Sequence, residues 1–385
     1  MADNFFITAI LVSHDGQTWL PESIASLSAQ TRRIDRIIAV DTGSIDSSAK
    51  MLANAGLTVI KTDRDAGFGD AIALALGSAK KLKSDDQEEL IWILHDDCAP
   101  SRSALQLLIE GIAEKPQVAF VGPKLLGWYD RKHLLEVGIS IAVNGARWTG
   151  LDPREHDQGQ HDQQTEVLSV STAAMLARRK VFEDLGGFDP NLALFRDDVD
   201  LGWRARVAGF SVLTVPQALV YHAEAAASER RTVDVEEAFL HRPRLLDRKN
   251  AAYVLLANAS WWLLPWIAIQ IVGSAAIRAI GYLIAKLPGY AADEIAAVGL
   301  LIIKPQDLLK ARKLRKAKRL LSPRIVRQFI PPPGSQIRLA TEKANYALRK
   351  FFKSDLSEAE NPDEPMSYAD IGIIDESTTL TSTSF

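Results

Sequence analysis

From the N-terminus to about residue 125, apolar runs of strand length alternate with stretches whose apolar residues recur at helical spacing. Phe6–Val12 is a nearly continuous apolar run and predicts a first strand. Leu20, Ile24 and Leu27 then share one face of a helix over Thr18–Gln30, with Pro21 in its first turn, where a missing N–H is tolerated. The alternation continues with strands at Arg36–Val40, Leu57–Lys61, Leu90–Leu94 and Val118–Val121. Between them lie helices at Ser44–Ala55, Asp70–Leu82 and Ser101–Glu114. Strands apolar on both faces and separated by helices belong to a mostly parallel sheet flanked by helices, so the fold class is α/β. Ligands of such sheets bind beyond the carboxyl ends of the strands, which tells where to look for chemistry.

The pattern then changes. Residues 126–168 are irregular, with a polar stretch over Asp152–Gln164. Val167–Leu176, a turn at Gly186-Gly187, a helix over Val199–Ala208 and short strands at Val212–Val215 and Leu219–Tyr221 complete one domain over residues 1–225. Residues 226–249 are charged and read as a linker. No charge occurs from Asn250 to Ile277, longer than the roughly 20 residues a membrane span needs. Trp261, Trp262 and Trp266 cluster there as interfacial aromatics do, Pro265 interrupts the run, and Ile295–Ile303 is apolar but too short to span.

Charge sharpens this end of the chain. Nine Lys or Arg and no acid lie between Lys310 and Arg327, followed by Pro331-Pro332-Pro333 and an acidic, Ser/Thr-rich end that reads as disordered over 331–385. A single span would put the basic block outside, against the positive-inside tendency, so a re-entrant or interfacial helical hairpin fits residues 250–330 better. A buried helical subdomain with a solvated basic helix is the plainer alternative. The net charge of −3 gives no sign of a nucleic-acid partner, and Cys98, the one cysteine, excludes an intrachain disulfide or a Cys-based zinc site. Without a basic n-region, the N-terminus predicts a cytoplasmic catalytic domain.

Four polar clusters fall at predicted strand ends: Ser13-His14-Asp15-Gly16, Asp41-Thr42-Gly43-Ser44, Asp65-Ala66-Gly67-Phe68-Gly69 and His95-Asp96-Asp97. Each alone reads equally as a cap or turn; together they converge on one sheet edge. Asp41 suits a ribose or a base edge, because a carboxylate accepts two hydrogen bonds. The glycine patterns of dinucleotide-binding and P-loop folds are missing, which disfavours those classes. Adjacent Asp96 and Asp97 repel unless a cation neutralises them, and Mg²⁺ or Mn²⁺ shared with a diphosphate is the usual partner. Later, Gly186-Gly187-Phe188-Asp189-Pro190 precedes Arg196-Asp197-Asp198-Val199-Asp200-Leu201-Gly202-Trp203-Arg204, and Val220-Tyr221-His222 ends a strand. Asp197 and Asp198 read either as favourable charges at a helix N-terminus or as a general base.

In this order, over residues 5–225, the motifs resemble those of family 2 glycosyltransferases of the GT-A fold. Val40-Asp41-Thr42-Gly43-Ser44-Ile45-Asp46 is similar to the family's nucleoside-binding segment. His95-Asp96-Asp97 occupies its D-x-D position, and Gly-Gly-Phe-Asp followed by Arg-Asp-Asp-Val-Asp-Leu-Gly-Trp-Arg matches its acceptor-side motif. The resemblance implies donor binding by Ser13, His14, Asp15, Asp41, Gly67 and Asp96, and a divalent cation (Mg²⁺ or Mn²⁺) on Asp97, Asp96 and His222. It implies Asp198 as the base, with Asp197, Asp200, Trp203 and Arg204 on the acceptor side. His95 stands where the family has an acid, which moves weight onto Asp97. A Q-x-x-R-W arrangement is missing, as in non-processive members. The expectation is an inverting transferase at the cytoplasmic face of the membrane, using a nucleoside-diphosphate sugar and a saccharide or lipid-linked acceptor in cell-envelope synthesis. A polyprenyl-phosphate glycosyl synthase, a nucleotidyltransferase and an inactive sugar-nucleotide-binding module are the alternatives. The chain also resembles the N-terminal part of larger actinobacterial membrane glycosyltransferases, and the resemblance implies a truncated sequence.

Overall fold

The structure is a computed structural model that describes residues 4–80, 87–152, 154–225, 242–303, 305–332 and 335. Its strands are β1 (Phe5–Ser13), β2 (Arg36–Asp41), β3 (Thr58–Lys61), β4 (Glu88–His95), β5 (Cys98–Pro100), β6 (Val118–Gly127), β7 (Leu134–Glu136), β8 (Ser140–Ile141), β9 (Arg147–Trp148), β10 (Leu176–Arg178) and β11 (Ser211–His222). The helices of the same region are α1 (Leu20–Ser28), α2 (Ser48–Asn54), α3 (Phe68–Ser78), α4 (Ala104–Ala113), α5 (Arg179–Asp184) and α6 (Asp197–Val207).

Nine strands form one sheet in the order β3-β2-β1-β4-β10-β6-β11-β5, with β7 beside β6. The first four strands are parallel, as the apolar runs predicted. The second half is mixed: β10 runs antiparallel to both β4 and β6, and β5 antiparallel to β11. Residues 212–215 and 219–221, expected as two strands, lie in one strand with an irregularity between Val215 and Leu219. Val167–Leu176 contributes to the sheet mainly at its last residue, where β10 begins.

Alternation along each strand feeds two cores. Ile7, Ala9 and Leu11 pack with Leu20, Leu52 and Leu105 on one face. Ile10 and Val12 pack with Ile72, Phe182 and Leu201 on the other. The register sets Ser13 beside Asp41 and Val12 beside His95, so three parallel strands end level and deliver their polar clusters to one edge.

The C-terminal region departs from expectation. Residues 226–241 of the expected linker, and all of the expected tail after Pro332 except Ser335, lie outside the described residues. Residues 243–249 are already helical, opening α7 (Pro243–Asn258). The uncharged run is not one segment: it breaks at Ala259–Ser260, passes a 3₁₀ turn at Trp261–Leu263 and resumes as α8 (Leu264–Ile284), followed by α9 (Pro288–Ile303) and α10 (Pro305–Lys318). Its first part is core. Ala251, Ala252, Tyr253, Val254 and Leu255 pack on Val199, Trp203 and Val207 of α6.

Its second part buries the stripe Ile267, Ile271, Ala275 and Ala279 and exposes the opposite face, including Trp261 (77%), Trp266 (56%), Ile277 (73%) and Ile284 (78%). Among the described residues, Trp261–Ile284 is the helix long and apolar enough to cross a membrane. The basic block is only partly solvated. Lys310, Lys313 and Lys316 are exposed, whereas Arg315 is buried.

Candidate active site

The loop after β1 is tied to its neighbours by acids that the sequence placed among the donor ligands. Asp15 adopts a left-handed conformation at φ 48°, accepts the Ile45 N–H at 2.8 Å and pairs with Arg64 at 2.6 Å. Burial raises its pKa, but Arg64 and the Ile45 amide outweigh that and hold it below the usual range. Its carboxylate is therefore a brace between three loops. His14 lies nearby, its Nδ1 2.9 Å from the Thr42 hydroxyl.

Asp96 is corrected. Its Oδ2 accepts the His14 N–H at 2.8 Å, and a Cβ on Gly16 would lie 2.1 Å from that oxygen. The side chain is buried beneath the β1 loop. Gly67 begins α3 where a Cβ would sit 2.8 Å from Ala193 Cα, so its small size serves close packing against the segment before α6. What remains open toward a donor is Asp41, whose buried Oδ1 has no hydrogen-bond partner among the described residues, and the similarly placed Ser13 hydroxyl. Two partnerless buried acceptors side by side at a strand edge fit a ligand that brings donors.

At the end of β4, Asp97 turns the opposite way from Asp96. Its Oδ2 accepts the Ala225 N–H at 2.8 Å, while Oδ1 lies 3.3 Å from His222 Nε2 and 3.9 Å from His95 Nδ1. Ligand atoms of His95, Asp97 and His222 all fall within 4.8 Å of one another. His95 thus stands with Asp97 and His222 in this ligand group, whereas Asp96, in the turn after β4, directs its carboxylate to the β1 loop. Phe68 packs edge-on to His95 at 4.8 Å and fixes the ring, whose Nε2 lies 3.2 Å from the Thr172 hydroxyl. Burial disfavours a His222 imidazolium, but the Cys98 sulfur and the Asp97 carboxylate outweigh it and raise its pKa. Two imidazoles and a carboxylate converging on one point fit a divalent cation, which would replace that proton.

The third element is the N-terminus of α6. Phe195 and Arg196 both have positive φ, 63° and 68°, uncommon for such residues and held here by α7. Arg196 makes a forked pair with Asp247 at 2.7 and 3.1 Å, and Asn250 donates to the Leu194 carbonyl at 2.5 Å. This loop sets Asp197 and Asp198 at the helix start. Burial and the adjacent Asp198 charge push the Asp197 carboxyl up to about 8. Asp198 Oδ1 accepts the Val199 N–H at 2.6 Å, and Oδ2 receives Arg147 at 3.2 and 3.3 Å.

Asp200 and Arg204 are corrected from the acceptor side. Asp200 is fully buried and joins Arg204 at 2.7 Å, Arg315 at 2.7 Å and Asn258 at 2.7 Å. Burial alone would raise its pKa, yet the two guanidinium groups bring it to about 2. Arg204 also donates to the Leu185 and Gly187 carbonyls, and Trp203 is buried in the α6–α7 core. All three hold the helix in place.

Sequence reasoning missed Glu136, Arg147 and Glu224. Arg147 on β9 donates to Glu136 on β7 at 2.5 and 2.9 Å as well as to Asp198. Glu224 sits just past β11 with φ 50°, and burial, against the opposing pull of His222, raises its carboxyl to about 7. Its place two residues after His222 was a usable signal; nothing marked the other two within an irregular stretch.

The family model described as Glycosyltransferase like family 2 matches residues 11–235. N-acetylglucosaminyl-diphospho-decaprenol L-rhamnosyltransferase of Mycobacterium tuberculosis is 23% identical over 299 residues, which cover 71% of this chain and 91% of that protein. Pre-mycofactocin glycosyltransferase of the same organism is 28% identical over 190 residues, 49% of this chain and 37% of that one. Among solved structures, GalNAc-T7 with UDP, GalNAc and Mn²⁺ superposes with a TM-score of 0.51 at 15% identity, covering 75% of this chain and 54% of that one. At that identity the likeness speaks to the fold alone. It agrees with the α/β, GT-A architecture expected from the motifs.

Proposed function

This chain belongs to the Glycosyltransferase like family 2, and from that premise we propose that it moves a sugar, with inversion and without processive elongation, from a nucleoside-diphosphate sugar to an acceptor hydroxyl. The observation that carries this reading is a set of three unlike groups, two at strand ends of the sheet and the third linked to them through Glu224, which feels both His222 and Arg147. These are the partnerless acceptors of Asp41 and Ser13, the His95–Asp97–His222 triplet, and the Asp197–Asp198 pair beside Arg147.

Asp41 and Ser13 accept hydrogen bonds from the nucleoside, and the loop braced by Asp15 and Arg64 keeps them level. His95, Asp97 and His222 would hold a divalent cation, Mg²⁺ or Mn²⁺, which would offset the negative charge developing on the departing diphosphate. Asp198 accepts the proton of the acceptor hydroxyl as that oxygen attacks the anomeric carbon. Two carboxylates, Glu136 and Asp198, share the Arg147 guanidinium on this side of the cleft, which favours a neutral hydroxyl over a lipid phosphate as the attacking group.

The acceptor class follows from the relatives and from the surface. The mycobacterial rhamnosyltransferase is named for a sugar on a diphospho-decaprenol carrier. A saccharide on a lipid carrier, used in cell-envelope synthesis, fits a chain that exposes Trp261, Trp262 and Trp266, with Arg324 against the Trp262 ring, and also exposes Lys310, Lys313 and Lys316. We place this face on the cytoplasmic surface of an anionic membrane. The catalytic unit then extends through α7, since Asp247 and Asn250 hold the loop before Asp197.

A panel of nucleotide-sugars with Mn²⁺ or Mg²⁺, scored by nucleoside diphosphate release and by binding, tests the reading. One donor should be bound and turned over only with the divalent ion. Release of pyrophosphate, or turnover that survives chelation, would overturn it. Co-sedimentation with vesicles containing anionic lipid, lost in a Trp261→Ser/Trp266→Ser variant, tests the membrane assignment.

A further inference from the structure

The base assigned above stands next to another carboxylate, and two adjacent acids on one helix turn compete for one proton. The charged groups around them come from four other segments. Glu136 lies on β7 and Arg147 on β9, Glu224 follows β11 with His222 and Asp97 beyond it, and Asp247 on α7 is paired to Arg196. Of these, Arg147 contacts Asp198 through both terminal nitrogens at 3.2 and 3.3 Å, while Glu136 grips the same guanidinium at 2.5 and 2.9 Å. Asp198 is thus pinned on both oxygens, by Arg147 on one and the Val199 N–H on the other.

We propose that Arg147, oriented by Glu136, is a positioning residue that assigns the proton of the acidic pair to Asp197 and leaves the Asp198 carboxylate ionised and aimed for the acceptor hydroxyl. The proposal rests on the reading of Asp198 as the base. A cation at one member of a carboxylate pair favours charge on that member and leaves the proton to the other; Asp197 and Asp198 are buried alike, so the contact with Arg147 makes the difference. The direction at Asp197, raised by burial and by the Asp198 charge, agrees with this arrangement. Glu136 supplies what an exposed arginine lacks, a fixed orientation, because a guanidinium forked between two carboxylates has few other positions to adopt. The β7 and β9 strands, short as they are, deliver both partners.

The test is a ¹³C NMR titration of aspartate-labelled full-length protein, with Asp197→Asn and Asp198→Asn difference spectra for assignment. In the parent protein the late-titrating resonance should vanish in Asp197→Asn. In Arg147→Gln, the Asp198 resonance should titrate about 1 pH unit or more higher. Arg147→Lys, which keeps the charge, should restore most of the parent behaviour, and it also serves if the glutamine variant folds poorly. An Asp198 titration unchanged in Arg147→Gln, or a late resonance that belongs to Asp198, overturns the proposal. Failure of the base reading looks different: Asp198→Asn would then retain turnover whatever the NMR titration shows.

Discussion

His95-Asp96-Asp97 at the end of β4 and Asp197-Asp198-Val199-Asp200 at the start of α6 look alike as strings, and the fold treats them alike in one respect only. In each, one acid turns inward and becomes structure. Asp96 accepts the His14 amide under the β1 loop, and Asp200 binds Arg204 and Arg315 beneath α6. In each, another faces the cleft, Asp97 toward two imidazoles and Asp198 toward Arg147. They differ in what surrounds the outward acid. Around Asp97 the partners are metal-ligating types that hold a cation; around Asp198 they are an arginine and further acids that govern a proton. The number of carboxylates in a motif does not count its ligands: backbone geometry chooses which of them reach the site.

Substitutions along each string should separate these roles, beginning with the largest effect. Asp200→Asn removes the buried carboxylate shared by Arg204 and Arg315, leaving Arg204 without its acid and Arg315 with Asp189, and should cost about 3–5 kcal/mol of stability, read by denaturant unfolding. That contribution has a defined pH sense. The depressed carboxyl stabilises fully above its ordinary 3.8 and stops doing so as pH falls through about 2, so the parent and the variant should converge there. Next, Asp97→Asn should weaken Mn²⁺ binding by about 100-fold or more in calorimetry, whereas Asp96→Asn should leave it unchanged. Equal losses at the two positions would erase the distinction drawn at β4.

Asp96→Ala removes the acceptor for the His14 N–H and should lower stability by about 1–3 kcal/mol while the Mn²⁺ affinity persists. The effect at Asp197 has the opposite pH sense. Its carboxyl holds a proton in the folded state up to about 8 but loses it near 3.8 when unfolded. Stability attributable to it therefore falls as pH rises between those values, by up to about 1.4 kcal/mol per pH unit. Asp197→Asn should gain on the parent protein as pH is raised from 4 to 8. Asp200→Asn should show no such gain.

The same contrast explains what was legible before the structure. The four parallel strands and their helices were readable because each buried strand is an unbroken apolar run and each helix repeats at its own period. The strand-end clusters followed from topology. The sequence did not resolve which of two neighbouring acids faces the cleft, because that depends on a local turn; it marked Asp97 as the firmest ligand and left His95 or Asp96 as the second. Glu136 and Arg147 were invisible because β7 and β9 are three and two residues long and carry no periodic signal. The uncharged run after Asn250 misled for a related reason. Composition does not distinguish α7, whose apolar side chains pack on α6, from α8, whose apolar side chains face outward. Likewise, Arg315 was read as part of a solvated basic block although it reaches Asp189 at 2.6 Å and Asp200 at 2.7 Å.

The division of labour between the two acidic centres meets its most direct test in Asp198→Asn, assayed for nucleoside diphosphate release at saturating donor, acceptor and Mn²⁺, with donor affinity measured on the same sample. The account predicts turnover lower by about 10²–10⁴-fold with donor and Mn²⁺ binding intact. Near-parent turnover, or a loss traced to failed donor binding, would contradict it.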